Sequence, residues 1–149
     1  MSSIVISPSG TGQSGTAGRG RFALVGLGTV AAAVLANVLV YAAGSGLVGY
    51  DPRFLPLANV SGAVIFTLVP AVVAVLLYAV LRRVAADPAR VFAIIAAVVF
   101  VVTLIPDFTY IPTVPGATVG QTAVLVLMHV VAAGVIVGGL TSGDRRRSA

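Results

Sequence analysis

The chain has no cysteine and no lysine, one histidine and four acidic residues in 149. Each shortage excludes something. Without cysteine there is no disulfide, no thiol nucleophile and no thiolate metal site. One histidine and scattered aspartates supply no metal triad. No nucleophile, base and orienting group fall together, so no catalytic residues are assigned and the chain does not read as an enzyme. The shortage of charge excludes most. Only 9% of residues are charged and 58% are hydrophobic, whereas a soluble domain carries about 25% charged residues. So little polar surface cannot cover a water-soluble globule, and lipid is the expected solvent for most of the chain. The net charge of +5 comes from nine arginines. They flank apolar runs and form no basic face, so membrane topology explains them and nucleic acid does not.

What is present is four long apolar runs. They read as spanning helices over residues 22–43, 60–81, 88–105 and 119–140. The third is the shortest. Asp87 can cap it and Pro88 can fill its first turn, and a helix from there to Ile105 is about 27 Å long. Residues 1–20 are rich in Ser, Gly and Thr without amphipathic period, and read as a disordered cytoplasmic tail. Residues 21–142 form the membrane domain, and 143–149 a basic cytoplasmic tail. The first run is longer than the apolar core of about 7–15 residues that a cleaved signal peptide carries, so it reads as a retained span. The fold class is all-α, a four-transmembrane-helix bundle.

Arginine placement sets an orientation. Arg19, Arg21, Arg82, Arg83, Arg90, Arg145, Arg146 and Arg147 fall on one side, and only Arg53 on the other. The positive-inside rule then puts both termini in the cytoplasm of a multi-pass plasma-membrane protein. The two outer links carry Tyr50, Phe54, Phe108 and Tyr110, expected at the headgroup level where a ring is half buried.

Those links share a pattern. "DPRFLP" runs from Asp51 to Pro56 and "DFTYIP" from Asp107 to Pro112. Each follows an outward-going helix and precedes an inward-going one, as in two tandem hairpins related by an axis along the membrane normal. Chance similarity between apolar segments is the competing explanation. The aspartates read in two ways. They cap turns in solvated loops, or the loops fold together over the outer mouth, where the carboxylates meet Arg53 or a cationic ligand. Both readings leave Asp51 and Asp107 outside the hydrocarbon.

Inside the spans, Asn37, Tyr41, Thr67 and Gln121 gather toward the outer half. They either satisfy one another across helices or line a polar pocket open to the outside. His129 lies near the centre of the fourth span, and an intramembrane ionisable group is a functional candidate by default. Proton relay, a hydrogen bond to a quinone or lipid headgroup, and haem ligation are its candidate roles. Against these stands a ring merely bonded to Asn37, Thr67 or a backbone carbonyl, such as that of Phe66, which Pro70 frees. A single histidine excludes a bis-His haem within the chain, and no cofactor or metal is expected. Small-residue faces at Gly134 and Gly138, at Gly28, Ala32 and Ala36, and at Ala93 and Ala97 suit close helix contacts.

With four short helices, cytoplasmic termini, "DPRFLP" before the second span and "HVVAAGVIV" at His129 in the fourth, the chain resembles a family of uncharacterised four-helix membrane proteins common in actinobacteria. The likeness covers most of residues 21–142 and implies a bacterial membrane protein without implying an activity. The missing lysine fits a GC-rich genome. The expected role is a non-enzymatic accessory or scaffold bundle, with the lipid bilayer, a second copy or another membrane protein as partner. The alternative is a binder or carrier of a small amphiphile, a lipid or quinone, through the outward pocket with His129 at its floor.

Overall fold

The computed structural model describes residues 14–145, with side chains from 18 to 142. Four helices make up the bundle: α1 (Ser14–Val48), α2 (Val60–Val84), α3 (Pro88–Thr109) and α4 (Val119–Arg145). Short 3₁₀ turns at Leu55–Leu57 and Ile111–Thr113 sit in the α1–α2 and α3–α4 links. The fold is all-α, and each of the four helices is long and apolar enough to cross a membrane. We call the end carrying the two long links the loop end, and the opposite end the arginine-rich end.

Helix boundaries follow local chemistry. The Asn59 side chain accepts from the Gly62 N–H at 3.3 Å and opens α2. Asp87 accepts from the Arg90 N–H at 3.0 Å and opens α3, with Pro88 in the first turn as expected. Residues 14–20, expected in the disordered tail, belong to α1 instead. Once a helix is nucleated by its apolar segment, each added residue contributes one more hydrogen bond, so polar flanks extend it. Residues 1–13 of that tail and 146–149 of the basic tail lie outside the described residues.

The third helix departs most from expectation. It does not stop at Ile105. Pro106 lies inside it, and Tyr110 N–H still donates to the Pro106 carbonyl at 2.9 Å. Proline forfeits its own bond to the carbonyl four residues back, but the residues after it keep theirs. Asp107 is therefore in the last turn of α3 and buried. It is neither a loop residue nor solvated, and both expectations for it are corrected.

Helix α1 packs chiefly on α4 and α2, and α3 packs on α4, while α2 and α3 meet sparsely. The core falls into two clusters. At the arginine-rich end Tyr78, Leu81, Phe92, Ile136 and Leu140 close around Ala33 and Ala71. Tyr78 and Phe92 meet at a tilt with centroids 5.0 Å apart, and the Arg82 guanidinium lies 4.9 Å over the Phe22 ring. At the loop end Phe54 and Leu57 plug the bundle against Ala63, Val124 and Met128. Phe54 is fully buried, where a half-buried headgroup-level ring was expected. Its 3₁₀ turn directs the ring into the bundle, and burying it from water contributes roughly 1.5–3 kcal/mol. Phe108 and Tyr110 stay exposed.

The two links fold onto each other. Tyr41 donates to the Leu57 carbonyl at 3.2 Å, and Tyr50 donates to the Tyr41 carbonyl at 2.8 Å. Gly116, at φ 79°, presses on Asp51 and on the Phe54 backbone; a Cβ there would stand 2.9 Å from the Asp51 carboxyl carbon. That joins the loops over the bundle, as one of the two readings required. Close helix approach uses other glycines than those singled out from sequence. Gly139 abuts Thr29, whereas Gly28, Gly134 and Gly138 face open space within the chain.

Candidate functional site

Because α2 and α3 part, a cleft of about 780 Å³ opens between them, with α4 as its floor. Small side chains make the room: Ala74, Ala96, Ala132 and Ala133 line it, together with Pro70 of α2. Larger apolar residues such as Phe66, Leu77, Val99 and Ile136 form the walls. The polar residues that line it are Asn37, Thr67, Thr103, Asp107 and His129.

Asp107 and His129 form the centre of that polar group. His129 Nδ1 lies 3.1 Å from Asp107 Oδ2 and 3.0 Å from the Leu125 carbonyl oxygen one turn back on α4. A ring nitrogen has one hydrogen to give, so the two oxygens compete for it. Asp107 Oδ2 is left without a hydrogen-bond partner. The Asp107 side chain is 7% exposed and that of His129 36%. The carboxyl is thus sheltered behind a ring that faces the cleft. Helix length produces this encounter. His129 lies ten positions past Val119, the start of α4, about 15 Å along its axis, and the shorter α3 ends at that depth with Asp107 in its last turn.

A second polar chain crosses from α1 to α2. Asn37 Nδ2 donates to Thr67 Oγ1 at 2.7 Å, and Thr67 Oγ1 donates to the Ala63 carbonyl at 2.7 Å. The Thr67 proton is committed to Ala63, so Asn37 must be the donor, and its Oδ1 has no partner.

The sequence-singled residues divide. The cleft brings His129, Asn37 and Thr67 together. Tyr41 does not line it; it holds Leu57 and packs under the Phe54 plug. Gln121 is buried in the first turn of α4 with its Oε1 unpartnered, away from the cleft lining. His129 bonds neither Asn37, Thr67 nor the Phe66 carbonyl, but its own helix. Pro56 and Pro112 occupy the same middle position of the two 3₁₀ turns, and Pro56 reaches the cleft. Asp51 stays at the surface, where its Oδ1 accepts from the Arg53 backbone N–H at 2.8 Å and its Oδ2 from the guanidinium at 2.8 Å. Those bonds push its carboxyl down to about 2. Asp107 is the residue that sequence placed wrongly. The signal for it was spacing: Pro88 to Asp107 is a span-length stretch without another acidic residue, and one internal proline does not end a helix. Among the described residues no group of three metal-ligating side chains occurs.

Residues 17–146 match the model of a family of unknown function (DUF6069), and the chain belongs to that family. No curated protein and no solved structure matches it.

Proposed function

We propose that this chain is a non-enzymatic membrane protein that holds a small amphiphile in the cleft between α2 and α3. The carrying observation is the cleft itself. It is apolar along most of its length and polar where Asp107 and His129 meet. Its 780 Å³ falls within the roughly 300–1,000 Å³ typical of small-molecule sites. An apolar tail suits the walls, and a polar head suits the paired carboxyl and imidazole. The arginine bias supports a plasma-membrane location with both termini cytoplasmic, which makes the loop end extracytoplasmic. The lysine-free composition supports a bacterial, GC-rich source.

The test is mass spectrometry of organic extracts from the purified full chain and from Ala133→Trp, which fills the cleft floor. An amphiphile enriched with the wild-type chain and lost from the variant is the expected result. Identical extracts would sink the reading.

A scaffold role has its own support. Among the described residues, Gly28, Gly134 and Gly138 have nothing within 4 Å of where a Cβ would stand, and small residues on lipid-facing helices let a second copy approach. Strictly monomeric behaviour in native membranes, measured by cross-linking at these glycines replaced by cysteine, would end that reading.

A further inference from the structure

We infer that the cleft selects an alkyl chain carrying a hydrogen-donating cation, a primary ammonium, held by Asp107 with Asn37. This rests on the amphiphile reading above and names the head group. Hydrogen-bond inventory carries the argument. At the polar end the described hydroxyls and the His129 Nδ1 hydrogen are already committed to the protein. The Thr67 hydroxyl serves Ala63 and the Thr103 hydroxyl serves the Phe100 carbonyl at 2.9 Å. One of the two Asn37 amide hydrogens serves Thr67. The single Nδ1 hydrogen of His129 stands between Leu125 and Asp107.

The buried atoms at this end left with no partner at all are acceptors. Asn37 Oδ1 and Asp107 Oδ2 are buried and unpartnered, in residues only 3% and 5% exposed. Among the described residues no arginine lines the cleft, so no fixed cation among them faces the Asp107 carboxylate apart from a protonated His129.

Head groups can be ranked against that inventory. A quinone brings only acceptors and leaves the two unpartnered oxygens unmatched. A fatty acid brings a second carboxylate into a site without an arginine. An alcohol brings one donor and no charge. A primary ammonium brings three donors and the opposite charge, and a charge-assisted bond away from bulk water is stronger than a neutral one. Free alkylamines and amine-headed lysolipids share this chemistry. The lysolipid phosphate would need a basic partner that the cleft does not line up, which favours the simple amine.

The experiment measures binding of dodecylamine, dodecanol, dodecanoate and dodecyltrimethylammonium to the full chain in phosphatidylcholine nanodiscs, with empty nanodiscs subtracted. We expect dodecylamine to bind at least tenfold more tightly than each of the others. Asp107→Asn should reduce dodecylamine binding to the dodecanol level. Equal affinity for all four overturns the head-group inference and leaves the amphiphile reading standing. Equal binding of the primary and the trimethyl ammonium overturns hydrogen donation in favour of charge alone. No specific binding of any of the four to wild type, with Ala133→Trp indistinguishable from it, overturns the amphiphile reading itself. The head-group comparison is made on the wild-type chain, so it decides the inference even if Asp107→Asn does not fold.

Discussion

Asp51 and Asp107 open matching hexapeptides and have opposite surroundings. Asp51 turns back on Arg53 two residues later, through both the backbone N–H and the guanidinium. Hydrogen bonds that favour the charged form hold its carboxyl at about 2 instead of 3.8. A depressed carboxyl contributes stability that is present above the ordinary value and lost as pH falls toward 2. Carbon-detected NMR should therefore show the Asp51 carboxyl titrating near 2, and Arg53→Ala should return its midpoint toward the ordinary aspartate range. A midpoint unmoved by Arg53→Ala would show that the ion pair does not set it. A second residue-scale consequence concerns Thr67. Replacing it with Val removes the acceptor of the Asn37 amide and leaves that buried group unmatched. We expect a loss of about 1 kcal/mol in detergent unfolding, since interhelical hydrogen bonds in membranes average ~0.6 kcal/mol and an orphaned partner adds to that. Asn37→Leu combined with Thr67→Val should recover part of it. Of these residues the sequence disclosed the polar set but not its pairing. Asn37 and Thr67 were visible as costly groups that needed partners. That Tyr41 and Gln121 belong elsewhere depends on which way each side chain points, and a helix so apolar on every face does not betray its orientation.

Among the helices, packing rests on places where side chains are absent. A Cβ on Gly139 would stand 2.5 Å from Thr29 Oγ1 and 2.8 Å from its Cγ2. Threonine is branched at Cβ and stiff at χ1, so rotating one arm away swings the other in. Gly139→Ala should thus force α1 and α4 apart and cost about 1–3 kcal/mol, as overpacking does. Gly138→Ala meets nothing and gains up to ~1 kcal/mol of helix propensity. Thermal unfolding of the two variants side by side checks the pair of signs; a shift of equal size and sign would refute the assignment of the α1–α4 contact. Helix number and type were legible because run length and hydropathy decide them. The capped start of α3 was legible from Asp and Pro chemistry, and the start of α2 from its apolar run alone. The end of α3 was not, because Pro106 reads as a stop, while its physical effect is the loss of a single hydrogen bond. That one misplaced boundary concealed the Asp107–His129 pair.

For the molecule as a whole, the cleft and the orientation are properties of different kinds. The cleft exists because α2 and α3 diverge, and divergence is decided by many weak contacts that no single segment encodes. Orientation is a sum over charges, so it survives ignorance of packing. Eight arginines fall on the terminal side of the helices and Arg53 alone falls in the links at the loop end. The chain has no cysteine, so any introduced thiol is the only one to report. Pro52 and Ala86 are both exposed and lie in links at opposite ends of the bundle. With both termini cytoplasmic, Pro52→Cys should react with a membrane-impermeant maleimide on intact cells or spheroplasts, and Ala86→Cys should react only after permeabilisation. The reverse pattern would invert the topology. It would also turn the Phe54 plug, the joined loops and the polar end of the cleft toward the cytoplasm, so that an amphiphile entering from the loop end would come from inside the cell. Labelling of both sites on intact cells would instead reveal mixed insertion. The two thiols therefore determine which leaflet lies nearer Asp107 and His129.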